Sequence, residues 1–261
     1  MNSSSLAVTL VQTQLSWEQP VENKSQLAAK LAPLQGRTDL VVLPEMFTTG
    51  FSMRAAELGE PMDGPTVAWM QEQATQLDAA LTGSFICIEN GLFYNRLVWV
   101  QPGGVVHFYD KRHLFSLAAE HQTFTPGTER LTVEWKGWRI CPLVCYDLRF
   151  PVWSRNHPDQ PYDLLLYIAN WPQTRSLHWR SLLQARAIEN QAFVAGVNIV
   201  GTDGNQLVYG GDSAIIDFSG QHLCQISHCE GVFTTELSLE KLHTYRQQLP
   251  FLKDGDTFRL I

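Results

Sequence analysis

Residues 176–198 read SLHWRSLLQARAIENQAFVAGVN, and their hydrophobic period changes partway along. In SLHWRSLLQARAIENQ, Trp179, Leu182, Leu183 and Ala187 recur at spacings of three and four, which puts them on one side of a helix. FVAGVN is a short apolar run rich in valine and reads as a strand. A helix leading directly into a strand points to an α/β architecture.

The same pattern extends outward. LAVTLVQ, DLVVLP, LTGSFICI, RLVWV, VVHFY, RICPLVC, DLLLYIAN and SAIIDF are short apolar runs bounded by Gly, Pro or Asp, and each reads as a strand. PTVAWMQEQATQLDAAL (65–81) carries Val67, Met70, Ala74, Leu77 and Leu81 at helical spacing, with Asp63 as its expected cap, Pro65 in its first turn and Gly83 beyond its end. RLVWVQPGGVVHFYDK reads as a hairpin turning on Pro102, Gly103 and Gly104, and IIDFSGQHLCQI as another turning near Ser219 and Gly220. Pro142 has no N–H for a ladder, so RICPLVC should carry an edge or a bulge at that point.

Composition narrows the function classes. The 261 residues are 44% hydrophobic and no linker or charge block divides them, so residues 1–261 read as a single domain. A net charge of −7 without a Lys/Arg cluster argues against nucleic acid as a partner and leaves a small molecule. MNSSSLAVTLVQTQL lacks a basic n-region and a continuous apolar core, so it does not read as a signal peptide. No run reaches the roughly 18 apolar residues of a membrane span, so no membrane is expected and the protein reads as cytoplasmic. Five cysteines make no disulfide framework, and no C-x-x-C or H-E-x-x-H spacing supports a metal site, so no metal is expected.

Three strand exits carry chemistry. RICPLVCYDLRF (139–150) is apolar up to Cys145 and then turns polar at Tyr146, Asp147 and Arg149. Cys141, inside the run, fits a core thiol, whereas Cys145 at its end fits either a small core residue or a nucleophile at the mouth of a strand. DLVVLP releases into Glu45 and VVHFYD into Lys111. In α/β sheets the crevice beyond the carboxyl ends of strands is the usual ligand site, so residues far apart in sequence can converge there. Taken singly, Glu45 and Lys111 are equally well read as solvated loop charges.

LPEMFTTGF (43–51), HFYDKRHLF (107–115) and PLVCYDLRFP (142–151) resemble, in order, the three signature segments of the nitrilase or carbon-nitrogen hydrolase superfamily. LHWRSLLQARAIENQAFVAGVN and GGDSAIIDFSGQ extend the resemblance along nearly the whole chain. Within the superfamily the sequence is most similar to the omega-amidase branch, which hydrolyses the terminal amide of 2-oxoglutaramate and 2-oxosuccinamate. The resemblance implies a four-layer α-β-β-α sandwich, commonly a homodimer, with no cofactor.

It also implies a catalytic triad of Glu45, Lys111 and Cys145. Cys145 would attack the amide carbon, Glu45 would take the thiol proton and return it to the leaving nitrogen, and Lys111 with the backbone N–H of Tyr146 would hold the oxyanion. Glu120 matches a second glutamate of the family and would orient Lys111 and the reacting water; on spacing alone it reads as a surface acid on a short helix. A keto-acid amide carries a distal carboxylate, for which Arg175 is the candidate partner and Trp171 an apolar wall, against the alternatives of a solvated arginine and a core tryptophan. Arg149 is expected to brace the nucleophile loop. His113, His121 and His178 leave a Cys-His hydrolase conceivable, but nothing in the sequence fixes one of them beside Cys145. Competing readings are a nitrilase or N-carbamoyl amidohydrolase of the same superfamily and a non-catalytic binding protein on the same fold.

Overall fold

The computed structural model describes residues 5–158 and 160–256; residues 1–4, the start of the stretch expected from sequence not to be a signal peptide, lie outside the described residues. The first half of the chain runs β1 (Ser5–Gln12), α1 (Pro20–Leu31), β2 (Leu40–Val42), α2 (Ala55–Leu58), α3 (Pro65–Leu77), β3 (Ala80–Glu89), β4 (Leu92–Val100), β5 (Val106–Asp110) and α4 (Glu120–Thr123). The second half runs β6 (Val133–Trp135), β7 (Trp138–Val144), β8 (Leu164–Ile168), α5 (Ser176–Asn190), β9 (Phe193–Val197), β10 (Val200–Thr202), β11 (Val208–Ile216), β12 (His222–Ser227), β13 (Gly231–Ser238) and α6 (Leu239–Gln248).

The strands form two mixed sheets. One has the order β13-β1-β2-β3-β4-β5; the other has β10-β11-β9-β8-β7-β6, with β12 against β11. Alternation along β1, β2 and β4 sends Leu6, Val8, Leu10, Leu40, Val42, Leu97 and Trp99 to the core shared with the second sheet. The opposite set, Val11, Val41, Val98 and Val100, packs with Leu27 and Leu31 of α1 and with Val67, Met70, Ala74 and Leu77 of α3. On the far side Trp179, Leu183 and Ala187 of α5 and Leu242 of α6 join the central core, which leaves every residue of β8 and β9 buried. The layers are therefore helix, sheet, sheet, helix, the α-β-β-α sandwich.

Most of the expected elements form, and both hairpins turn where expected: Gly103, Gly104 and Gly220 all take the left-handed backbone that such turns require. Pro142 lies beyond Ile140, the last residue of β7 that β6 pairs, so its missing N–H faces an uncovered flank. Two expectations at α3 fail. Asp63 is not the cap: Gly64 holds that position in extended conformation because a Cβ there would meet Pro61 O at 2.8 Å, and Glu60 Oε2 accepts the Thr66 N–H instead. Gly83 does not follow the helix end. Asp78 ends the helix in left-handed conformation, while Gly83 lies within β3, where a Cβ would strike Phe47 and Leu43.

Candidate active site

Glu45, Lys111 and Cys145 leave the carboxyl ends of β2, β5 and β7, and the two packed sheets bring those exits together. Glu45 sits in a turn gripped by β3: Leu43 N–H donates to Thr82 O at 2.7 Å, Met46 N–H to Ser84 Oγ at 2.8 Å and Phe47 N–H to Ser84 O at 3.0 Å. From the second sheet, Asn170 beyond β8 donates its N–H to Glu45 Oε2 at 2.8 Å and its side-chain amide to Glu45 O at 2.6 Å. Lys111 follows β5 directly, and its N–H donates to Asn95 O on β4 at 3.1 Å.

Cys145 opens a 3-10 turn, Cys145–Arg149, with φ of 43°, a left-handed conformation that costs energy for a residue with a Cβ. Asp147 holds that turn. Its Oδ2 accepts from Val144 N–H at 3.0 Å and Tyr109 OH at 2.7 Å, while its Oδ1 accepts from His113 N–H at 3.0 Å. Tyr109 and His113 flank Lys111 in sequence, so one buried carboxylate ties the thiol-bearing turn to the ammonium-bearing one. Arg186 of α5 donates to Leu148 O at 2.6 Å. Asp147 and Arg186 thus brace the turn for which sequence pointed to Arg149, whose own guanidinium reaches His178 of α5 at 3.2 Å.

Beneath the thiol lies a dry charged cluster. Lys111 Nζ is 2.8 Å from Glu45 Oε1 and 2.9 Å from both carboxylate oxygens of Glu120, and all three side chains are at most 1% exposed. Glu120 is thus no surface acid; Phe115 N–H also donates to it. Burial would lower the pKa of Lys111, but the Glu120 and Glu45 carboxylates outweigh it and the ammonium is held protonated. Burial raises the Glu120 carboxyl, with Lys111 opposing and Glu45 adding. Burial, reinforced by the Glu45 carboxylate, also pushes the Cys145 thiol well above its ordinary range against the pull of Lys111. The resting nucleophile is a neutral thiol with a carboxylate as its hydrogen-bond partner.

Above the cluster opens a pocket lined by Lys111, Cys145, Tyr146 and Asn170 at its base and by Phe51, Phe115, Ala118, Trp171, Pro172, Leu207 and Tyr209 on its walls. Arg149 and Arg175 complete the lining. Arg175 lies over the Phe115 ring at 5.4 Å and Arg149 over the Trp171 ring at 4.7 Å. Trp171 is both wall and core, 3% exposed, with its indole N–H donated to Arg175 O at 2.9 Å. The Tyr146 N–H stands in the first turn of a helix, where leading N–H groups have no intrahelical acceptor. The histidines are engaged elsewhere: His113 Nδ1 with Asp147 at 2.7 Å and His178 with Arg149 at 3.2 Å, while His121 is exposed. Among the described residues no group of three or more His, Cys, Asp or Glu is placed to hold a metal ion.

Sequence reasoning missed Asn95 and Asn170. Asn95 Nδ2 donates to Glu45 Oε1 at 2.8 Å and to Glu120 Oε1 at 3.2 Å. The signal for Asn170 was present, since it ends the run DLLLYIAN as Cys145 ends RICPLVC; Asn95 is marked only by being an amide inside the strand LFYNRLVWV.

Comparison with known proteins gives the family. The chain is 50% identical to omega-amidase YafV of Escherichia coli (strain K12), over 98% of both chains. It is 32% identical to 2-oxoglutaramate amidase of Bacillus subtilis (strain 168), over 95% of this chain and 96% of the relative. The crystal structure of XC1258 from Xanthomonas campestris, a CN-hydrolase superfamily protein with an arsenic adduct in its active site, superposes with a TM-score of 0.97 at 51% identity, covering 98% of this chain and 99% of that one. The carbon-nitrogen hydrolase model matches residues 7–247, a span that takes in all three strand exits and both sheets, and the chain belongs to the carbon-nitrogen hydrolase family.

Proposed function

We propose that the protein is an omega-amidase that hydrolyses the terminal amide of short 2-oxo dicarboxylate monoamides, 2-oxoglutaramate and 2-oxosuccinamate, with Glu45, Lys111 and Cys145 acting as a unit. The observation that carries this reading is a buried Glu45–Lys111–Glu120 cluster beneath a half-buried thiol, in a pocket whose mouth holds two arginines. The names of the relatives above support the same chemistry.

The substrate carbonyl carbon sits over Cys145 Sγ. As the S–C bond forms, Glu45 takes the thiol proton and the carbonyl pair moves onto oxygen, where the Lys111 ammonium and the Tyr146 N–H stabilise it. One such donor contributes about 3 kcal/mol to the transition state. Glu45 then gives its proton to nitrogen, the C–N bond breaks and ammonia leaves. Water deprotonated by Glu45 attacks the thioester, and collapse of the second tetrahedral intermediate returns the proton to sulfur and frees the acid. Glu120 fixes Lys111 with two hydrogen bonds throughout. At the mouth, Arg175 and Arg149 meet the distal carboxylate, with Trp171 as the wall against the carbon chain.

We also read residues 1–261 as one domain, because the two sheets share a single core. A second copy of the chain as partner is supported by Leu177 and Ile188, three turns apart on one face of α5, 66% and 50% exposed. Five free cysteines support a reducing, cytoplasmic setting. No helix among the described residues is long and apolar enough to cross a membrane.

The test is ammonia release from 2-oxoglutaramate, glutamine, simple nitriles and N-carbamoyl amino acids, with Cys145→Ala as control. 2-Oxoglutaramate is expected to be turned over fastest, leaving 2-oxoglutarate. Equal or better turnover of nitriles overturns the substrate assignment, and an unchanged rate in Cys145→Ala overturns the mechanism.

A further inference from the structure

Asn95 stands where the site's charges do not balance. Glu45 and Glu120 bring two acid groups to one ammonium, so the buried cluster has one more acid than it has cations to pair with, in a medium that tolerates little unpaired charge. The Asn95 amide, 1% exposed, donates to both carboxylates, and the backbone carbonyl of the same residue accepts the Lys111 N–H. Its Oδ1 is buried with no hydrogen-bond partner among the described residues, an omission that typically costs about 1–3 kcal/mol. Reversing the amide would set Oδ1 against two carboxylates, so the network itself fixes the orientation. A side chain that gives up its acceptor and uses its donors twice is held there for those donors.

The consequence falls on Glu45. Oε1 accepts from Lys111 at 2.8 Å and from Asn95 at 2.8 Å, which fills both of its lone pairs; among the described residues the one N–H that Oε2 accepts is that of Asn170. A proton arriving at Oε1 would have to displace a donor, whereas Oε2 has a lone pair left. We infer that Asn95 is a positioning residue which, together with Lys111, occupies Glu45 Oε1 and so reserves Oε2 for the proton that leaves Cys145. This deepens the proposed function and rests on its assignment of Glu45 as the base. The transfer balances: the proton passes from Sγ to Oε2 as the S–C bond forms, and from Oε2 to the departing nitrogen as the C–N bond breaks.

The experiment compares wild type with Asn95→Leu, which keeps the branched shape at a somewhat larger volume and removes both donors without stranding a new polar atom. Two rates are followed from acid to alkaline pH: 2-oxoglutaramate hydrolysis, and alkylation of Cys145 by iodoacetamide read by intact mass. The second needs no amide substrate. The charged and titratable groups facing Glu45 are Lys111 from the β5 exit, Glu120 from α4, Cys145 from the nucleophile turn and Tyr209 from β11, and the substitution alters none of them.

Loss of a donor to a carboxylate raises its pKa, so the acid limb of both profiles is expected to move up by about one pH unit. The fall in kcat is expected to be roughly tenfold or more with KM nearly unchanged. A purely structural role would lower the melting temperature and leave the limb in place, and an unmoved alkylation limb in the folded variant overturns the inference. If 2-oxoglutaramate is not a substrate of the wild type but the alkylation limb moves, the inference stands and the substrate reading falls. Should Asn95→Leu fail to fold, Asn95→Ser offers one donor in place of two and must move the limb the same way; a fixed limb there overturns the inference equally.

Discussion

The floor of the pocket and its mouth treat charge in opposite ways. On the floor, Lys111, Glu45 and Glu120 are dry and every charge is bound by another at 2.8 to 2.9 Å. At the mouth, Arg149 and Arg175 are partly exposed, rest on aromatic rings, and among the described residues pair with no carboxylate. Floor charges are committed before substrate arrives, which suits groups that must stabilise a transition state without reorganising. Mouth charges are left open, which suits groups that must meet a charge on the substrate. Reaction and choice of substrate are thereby carried by different residues, and variants should separate them.

The sharpest test of that division is Lys111→Met. Loss of the oxyanion's ammonium should lower kcat by a factor on the order of 10²–10³ or more, whichever amide is supplied, in a protein that still folds. Near wild-type turnover would remove Lys111 from the chemistry. The pH profile tests the same point in the intact protein. Because the carboxylates of Glu120 and Glu45 outweigh burial and raise the pKa of Lys111, its ammonium should survive well past the ordinary lysine value of about 10.4. Loss of a proton occurs as pH rises through the raised value, so kcat should show no alkaline fall below that point. A fall centred near neutrality would show that the ammonium is not held as described.

At the mouth the expected effects are smaller and selective. Arg175→Ala should raise KM for 2-oxoglutaramate roughly tenfold, the scale of one charge-assisted hydrogen bond, while kcat and the turnover of an uncharged amide stay near wild type. Arg149→Ala should act in the same direction more weakly, since its guanidinium is already engaged by His178 at 3.2 Å. Equal losses on charged and uncharged amides would erase the distinction between floor and mouth.

The division also marks what the sequence could reveal. Strands buried on both faces, such as LLLYI, announce themselves as unbroken apolar runs, and a charge or thiol at the end of such a run stands out. That made Glu45, Lys111 and Cys145 legible as strand exits, and the three family segments made them legible as a group. Helices α1 and α6 went unread because their inward stripes are thin: Asn23, Leu27 and Leu31 in the first and Leu242 alone in the second. Strand β13 fills positions of its alternation with Thr and Glu, which blurs the period. Asn95, Asp147 and Arg186 act through hydrogen bonds to residues 25 to 50 positions away, or to a turn carried by another element, and no local pattern records such partners. Supporting residues are legible only once the exits they support have been brought together.

Gly83 offers the finest cut between floor and mouth, and it is a residue that sequence reasoning placed at a helix end. On β3 it faces the turn that carries Glu45, and a Cβ there would lie 2.8 Å from Phe47 Cδ1 and 2.9 Å from Leu43 Cβ. Leu43 and Phe47 bracket Glu45, and their N–H groups are bonded to Thr82 and Ser84 on either side of the glycine. Neither contact can relax freely, because Leu43 Cβ is close to the main chain and the Phe47 ring is packed in the outer core. Gly83→Ala should therefore cost about 1–3 kcal/mol of stability through overpacking. It should also push the Glu45 turn off β3, lowering kcat severalfold by displacing the base while KM for 2-oxoglutaramate, set at the mouth, stays put. A lower melting temperature with unchanged kcat would mean that Glu45 tolerates displacement, and the floor would then be less exacting than its hydrogen bonds suggest.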